Sequence, residues 1–435
     1  MADFDLIIIG GGPAGLTAGL YAARANMSVV LLESKDTGGE ILNTDLIEDW
    51  PGEESITGRE LADKMAAHAR KFGLDIRPYS GVKRVRTEGD RKVVELEDGT
   101  THRAYAVIVA VGGEPVKLGV PGEKEFAGRG VSYCAVCDGA FFKGADLAVV
   151  GGGDSAFQEG LFLTRYAKKL YLVHRRDEYR AQAILQDRLL GMDKVQAIAP
   201  AQVKEIGGDG DVKWIEVERD GKRERVPVEG VFIFVGFRPL GRRLFDEHID
   251  HDEDGYLVTD QYMRTSIPGV YAVGDTRAQL AKQITTAVGD ATTAVLHAER
   301  YIEGLKHAEK AFPRADERAL AEAARDVGRR RYRAGETVVR AGDPASDLYI
   351  VLRGELTVSK DGQDVDTIRE GDYFGELGLL AADHRRTATV RAKTDVELLA
   401  LGKDAFERIV RSSQGVAEDV AARVEERLGR AKAAR

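Results

Sequence analysis

Residues 5–34, DLIIIGGGPAGLTAGLYAARANMSVVLLES, open with an unbroken apolar run, pass through glycines, take up a helical spacing of apolar positions and end in a second apolar run. Runs that are apolar throughout predict strands buried on both faces, as in a parallel sheet. The same plan recurs at 146–176, DLAVVGGGDSAFQEGLFLTRYAKKLYLVHRR, and 18 positions separate both Gly15 from Glu33 and Ala156 from His174. YAVIVAVGG (105–113) and VFIFVGFRPL (231–240) each predict a strand entering a glycine turn, and IPGVYAVGDT (267–276) predicts a further strand. Residues 287–305 predict a helix with an apolar face. Residues 306–330, rich in Ala, Arg, Glu and Lys, read as a linker with a short amphipathic helix. From 335 to 374 short alternating runs are broken by Gly, Asp and Pro, an all-β pattern. A charged helix, about 403–431, is expected to close the chain.

A chain of 435 residues calls for two to four domains. The net charge of −9 argues against general nucleic-acid binding, and no apolar run approaches a membrane span. The N-terminus has no basic region ahead of its apolar run and so does not resemble a signal peptide. A cytoplasmic protein is expected. In that compartment a lone cysteine pair reads as catalytic or metal-binding rather than as a structural disulfide.

Gly10, Gly12 and Gly15 form G-x-G-x-x-G. The first glycine permits a tight turn, the second lets backbone approach a pyrophosphate, and the third lets helix and strand pack closely. Glu33 ends the next strand, placed for a ribose hydroxyl. Glycine turns without ligand are common, but here strand, helix and acid are in register. Gly274 and Asp275 after a late strand point to FAD at this first site, although Asp275 alone would read as a turn residue or helix cap. In the second unit Gly151, Gly153 and Ala156 give G-x-G-x-x-A, and the following strand ends in HRRDEYR rather than an acid. Arg175, Arg176 and Arg180 can surround a 2′-phosphate, which favours NADPH. His174 either lines the adenosine pocket or simply ends the strand.

Cys134 and Cys137 are the only cysteines. A zinc site needs about four ligands; there is no second cysteine pair, and the eight histidines are scattered, so no metal site is expected. Two cysteines with two residues between them can close a small disulfide, and Asp138 can supply or take the proton of thiol–disulfide exchange.

Residues 1 to about 308 resemble the low-molecular-weight thioredoxin reductases. The stretches that carry the resemblance are GGGPAGLTAGLYAARAN, IEDWPG, GRGVSYCAVCDG, GGGDSAFQEG, HRRDEYR and VYAVGDT, in that order. It implies two Rossmann-like domains: an FAD domain, 1–113 plus 243–308, with an NADPH domain carrying the redox pair, 114–242, inserted. It implies electron flow from NADPH to FAD, to the disulfide, and on to thioredoxin. Cys137 would face the flavin, Cys134 would attack the partner's disulfide, and Asp138 would be the acid/base. The NADPH domain would rotate, with hinges near 113–115 and 238–240, and the enzyme would be a homodimer. The cofactor-binding set extends to Pro13, Ala14, Ser34, Gly38, Gly39, Glu40, Asp49, Lys282, Gln283 and Ile284 on the flavin side, and to Asp154 and Ser155 on the NADPH side. Glu40, Asp49, Lys282 and Val111 stand where the family more often has Gln, Asn, Arg and Thr. An added carboxylate near the flavin would disfavour an anionic reduced flavin, and Lys282 would offset it.

GDYFGELGLLAADHRRTATVRAKTDVELLAL (371–401) resembles the phosphate cassette of cyclic-nucleotide-binding domains of the catabolite-activator type, over about 311–435. The expected layout is a linker with a short helix over 309–330 and a β-roll with flanking helices over 331–435. Backbone N–H groups of Gly375, Glu376 and Leu377 would cradle the phosphate, Glu376 would accept from the ribose 2′-hydroxyl, and Arg386 would pair with the phosphate. Thr387 leaves cAMP and cGMP both open, and the closing helix shows no clear purine-reading residue.

The leading expectation is thus an NADPH-dependent reductase of thioredoxin with a fused nucleotide sensor that regulates it. Three alternatives stand beside it: reduction of another CxxC protein with a non-regulatory C-terminal domain, an FAD-dependent dithiol oxidase, and a nucleotide-responsive binding module without catalysis.

Overall fold

The computed structural model describes residues 3–43 and 47–433, and the side chains of residues 43, 137, 237 and 430–433 lie outside that description. The first unit is built on a sheet whose centre is parallel: Phe4–Ile9 lies between Val29–Leu32 and Thr101–Val109, and Val270–Ala272 pairs with Thr101–Val109. Leu6, Ile7 and Ile8 are fully buried, as the unbroken apolar run requires. Outer antiparallel strands, Arg91–Leu96 and Val82–Glu88, extend one side. Helix Pro13–Arg24 starts on Gly12 with proline in its first turn, where a missing N–H costs nothing.

The second unit has five parallel strands, in the order Val195–Ile198, Lys169–Val173, Asp146–Gly151, Gly230–Phe234 and Val131–Ser132. A three-stranded antiparallel sheet, Gln202–Asp209, Asp211–Arg219 and Lys222–Pro227, packs beside it. The two crossings between units form a two-stranded ribbon, Gly113–Pro115 against Phe237–Pro239.

The C-terminal unit stacks two four-stranded antiparallel sheets. Three elements differ from the sequence expectation. The helix expected over 287–305 runs from Ile284 to Ala311, because residues 306–311 are helix formers and the first breaker is Pro313. The closing helix is two helices, Lys403–Ser412 and Gln414–Ala433, broken at an extended Ser413. There the Ser412 hydroxyl donates to the Ile409 carbonyl and accepts from the Asp316 N–H, so side-chain bonds compete with helix continuation. Residues 309–330 are packed rather than loose: Phe312, Leu320, Ala323 and Ala324 are buried in one apolar cluster that continues into both neighbouring units.

Candidate functional sites

At the first glycine turn, Gly10 has φ +107°, and a Cβ there would lie 2.3 Å from the Ala110 carbonyl oxygen. A Cβ on Gly15 would lie 1.8 Å from the Gly10 carbonyl oxygen, so helix and strand touch backbone to backbone. Glu33 is held from both sides: one carboxylate oxygen accepts from Gly11 N–H at 2.6 Å, the other from Lys35 N–H at 2.8 Å and the Ser34 hydroxyl at 3.1 Å. Gly38 N–H donates to the Gly11 carbonyl, which draws the Gly39–Asn43 turn against the glycine loop. Pro13 and Ala14 open the helix that starts there.

Beside this loop lies Gly274, where a Cβ would come 3.2 Å from the Ala14 methyl, and Gly274 N–H donates to Asp290 at 3.2 Å. Asp275 is open to solvent but crowded by protein, and that desolvation raises its carboxyl pKa, opposed by Lys282. Lys282 donates to the carbonyls of Asp275 and Arg277 and lies 3.7 Å from the Tyr256 ring centre; burial of its stem lowers its pKa. Gln283 caps the following helix together with Thr286, and Ile284 packs on an apolar patch of Ile41, Ile47 and Ile56. Glu40 and Asp49 are exposed.

The second glycine turn forms a cleft lined by Gly151–Gly153, Ser155, His174, Arg175 and Arg180, with Val116–Leu118 and Phe234–Gly236 across from them. A Cβ on Gly151 would lie 2.3 Å from the Phe234 carbonyl oxygen and 2.7 Å from the Ala156 methyl. His174 is buried, its ring filling the space beside Gly152, where a Cβ would lie 2.3 Å away; burial, then the neighbouring arginines, lowers its pKa despite a contact to the Glu178 carbonyl. Arg175 and Arg180 reach the cleft wall. Arg176 is exposed and off it. Asp154 is tied to Gln182 N–H at 2.7 Å, which fixes the arm that carries Arg180.

At the exit of strand Val131–Ser132, Cys134 immediately precedes the short helix Ala135–Asp138, and Cys137 lies within it. Cys134 is disulfide-bonded, and the chain holds one other cysteine, Cys137. The Cys137 side chain, expected to be the flavin-facing one, is outside the described residues. Ser132, buried, accepts from Cys134 N–H at 3.0 Å and donates to the Cys134 carbonyl at 3.1 Å, so it clamps the entry to the pair. The helix packs against the Gly39–Asn43 turn of the first unit. The Asp138 side chain makes no capping bond to the turn that follows it. Beyond it, Phe142 is held edge-on against Phe232, while Phe141 is 83% exposed.

In the C-terminal unit a cavity is lined by Gly375, Glu376, Leu377, Arg386, Thr387 and Arg427, with a wall of Val339, Val358, Ile368 and Leu428. Glu376 is 1% exposed and Arg386 6% exposed. Glu376 Oε2 and Arg386 Nη1 are both buried without a hydrogen-bond partner. An orphaned acceptor and an orphaned cation facing one cavity are costly unless a ligand supplies a donor and an anion. Burial lowers the Arg386 pKa. Gly375 has φ +100°, and a Cβ on it would lie 2.7 Å from Arg386 Nη1.

Two residues here escaped sequence reasoning. Arg427, on the final helix, donates to Glu376 Oε1 at 2.6 Å and to the Tyr373 carbonyl at 2.7 Å. Within RVEERLGR nothing sets it apart from Arg423. Phe141 carried no signal beyond its place four residues after Cys137.

The family of pyridine nucleotide-disulphide oxidoreductases matches residues 4–291, and the cyclic nucleotide-binding domain family matches 329–413. A thioredoxin reductase of Listeria innocua is 49% identical over 309 residues, 70% of this chain and 96% of that one. One of Bacillus subtilis is 46% identical over 307 residues, again 70% of this chain and 96% of the relative. Among solved structures, Lactococcus lactis thioredoxin reductase in its FR conformation superposes with a TM-score of 0.67 at 41% identity, covering 69% of this chain and 99% of that one. The T. acidophilum thioredoxin reductase gives 0.65 at 36% identity, covering 68% and 97%.

Proposed function

Because the chain belongs to the thioredoxin reductases, we propose that it uses NADPH to reduce the disulfide of thioredoxin, through FAD and its own Cys134–Cys137 pair. The observation that carries this reading is the disulfide-bonded Cys134 at the start of a helix, Ala135–Asp138, packed against the Gly39–Asn43 turn, which adjoins the first glycine cradle. The backbone cradle at Gly10, Gly12 and Gly15, with Glu33 and Asp275, suits FAD; the cleft with Ser155, Arg175 and Arg180 suits NADPH. Bound there, NADPH would supply a hydride and FAD would relay the electron pair to the disulfide. The division into an FAD domain of 1–113 plus 243–308 and an NADPH domain of 114–242 follows from that placement.

The chain's own residues then handle the exchange. Reduction opens the disulfide to two thiols. The Cys134 thiolate attacks one sulfur of the thioredoxin disulfide, forming a mixed disulfide and expelling the other thioredoxin sulfur as thiolate. Cys137 attacks Cys134, re-forms the internal disulfide and releases dithiol thioredoxin. Asp138, next in sequence and not engaged in capping, moves the proton. Phe141 offers an apolar foothold for the incoming protein.

For the pair to meet both flavin and thioredoxin, the inserted domain has to turn about the ribbon at 113–115 and 237–239. The exposed Arg188–Glu48 pair, 2.7 Å across the two units, opposes that turn by up to about 1 kcal/mol, which is easily overcome. No described helix is long and apolar enough to cross a membrane. A cytoplasmic homodimer is part of the proposal, on the likeness to the thioredoxin reductases alone.

The C-terminal cavity takes a cyclic nucleotide, cAMP or cGMP, with its phosphate on Arg386 and its ribose hydroxyl on Glu376 Oε2. The two buried orphan atoms support this.

Steady-state NADPH oxidation with thioredoxin tests the enzymatic reading. In Cys137→Ser, a thioredoxin activated as a thionitrobenzoate mixed disulfide should become covalently trapped on Cys134. No trapped complex, or oxygen consumption without NADPH in place of turnover, would sink the proposal.

A further inference from the structure

The sensor is joined to the reductase by shared packing rather than by a free tether. One apolar cluster runs from Ile8 in the first sheet through Leu305 and Phe312 to Ile350, Tyr373 and Phe406 in the sensor. The helix Ile284–Ala311 has 28 residues and so spans about 42 Å. Its first turns hold the turn assigned to FAD: Asp290 accepts from Gly274 N–H at 3.2 Å and pairs with Arg277 at 2.8 Å. Its last turn ends at Phe312, whose ring lies 4.9 Å from that of Tyr373. Tyr373 immediately precedes Phe374 and the Gly375–Glu376 cradle, and Arg423 covers its ring at 4.2 Å. Arg427 joins the Tyr373 carbonyl to Glu376 Oε1. The Arg427 guanidinium therefore joins the Glu376 carboxylate to Tyr373, whose ring meets the end of the helix whose beginning grips Gly274.

The base of the sensor is also pinned. Arg325 donates to the Thr265 carbonyl at 3.2 Å and the Ser266 carbonyl at 3.5 Å, and Asp326 pairs with Arg264 at 2.6 Å. This side of the sensor is thereby tied to the segment before strand Val270–Ala272.

We propose that the joint Phe312–Tyr373–Arg427 couples nucleotide occupancy to the redox centre through this helix. The inference rests on the reading of the cavity as a cyclic-nucleotide site. A nucleotide places an anion beside Arg386 and a hydroxyl on Glu376 Oε2, so it redistributes the charge that Arg427 meets at Glu376. Arg427 shares its other nitrogen with Tyr373, so the Tyr373–Phe312 contact responds, and with it the grip of Asp290 on Gly274. By linkage, the redox state of the enzyme must change nucleotide affinity by the same factor as nucleotide changes the equilibrium between redox-centre states.

The experiment uses the full chain. Binding of cAMP and of cGMP is measured by calorimetry. Thioredoxin turnover and NADPH-driven flavin reduction are measured with and without each nucleotide. The nucleotide that binds is expected to change one of these rates by about fivefold or more. Phe312→Leu and Tyr373→Leu keep apolar volume but lose the ring contact; each is expected to bind nucleotide within about threefold of the parent while the rate effect disappears. Circular dichroism confirms folding, and either variant suffices if the other fails to fold. Binding with no rate change in the parent overturns the coupling alone, as does an equal rate change in the leucine variants. Absence of binding by both nucleotides overturns the cavity reading and the coupling with it.

Discussion

Replacing Arg175 or Arg180 by Ala should weaken NADPH far more than replacing Arg176, although all three lie in one basic run. Arg175 and Arg180 line the second cleft; Arg176 does not. A hydrogen bond to a charged group contributes about 1.5–3 kcal/mol. Both arginines are exposed, so solvent screening brings this to roughly 1–1.5 kcal/mol each. That corresponds to a rise of about 5- to 12-fold in the KM for NADPH per arginine. The double variant should fall short of the product, because both guanidinium groups meet one phosphate. NADH lacks that phosphate, so its KM should move by less than about twofold in every variant. Raising the salt from 50 to 500 mM should weaken NADPH but not NADH in the parent, and the double variant should lose this difference. The assay is steady-state NADPH and NADH oxidation at saturating thioredoxin. Equal effects of Arg175→Ala and Arg176→Ala, or equal losses for NADH and NADPH, would refute the assignment.

Phe141→Ala should raise the KM for thioredoxin by about tenfold while NADPH-driven flavin reduction stays unchanged, as expected for loss of one aromatic contact on a docking surface; parallel losses in both would point to a folding role. Glu376→Gln and Arg386→Met should each weaken cyclic-nucleotide binding by at least about tenfold in calorimetry, since each removes a cavity-lining charged group with a buried, unpartnered atom. Lys92 is 1% exposed, and burial pushes its pKa down from 10.5 to about 8. Its neutral form is favoured by folding, so stability should fall as pH drops from about 10.5 to about 8 and the penalty should stay constant below that. Lys92→Met should remove this slope and raise stability at pH 7 by up to about 3 kcal/mol, read from urea unfolding at several pH values; an unchanged slope would show that Lys92 is not its source.

The parts legible in the sequence are those whose chemistry is local. Gly10 and Gly15 could be assigned because backbone contact admits no Cβ, and the apolar runs at 6–9 and 147–150 because both sheet faces are covered. What was not legible depends on partners far along the chain. Arg427 matters because folding brings it to Glu376, 51 residues away, and Arg423, four positions earlier, carries the same charge. Arg175 and Arg176 are adjacent yet diverge, a matter of backbone direction after the strand. The sheet over 202–227 has many charged positions because its outer strand is exposed, so its pattern does not announce a strand as the buried runs do. The shared core around Phe312 could not be read from a segment rich in Ala, Glu and Arg, because the surfaces that bury it come from both flanking units.

If electrons leave through the cysteine pair, anaerobic stoichiometry will show it. Thioredoxin disulfide and NADPH are mixed with the parent enzyme and with Cys134→Ser and Cys137→Ser, and both NADPH consumed and thiols formed are counted. The parent should consume one NADPH per disulfide opened, and both variants should reduce the flavin with no catalytic formation of thioredoxin thiols. Thioredoxin reduction that survives in either serine variant at a rate near the parent's would contradict it.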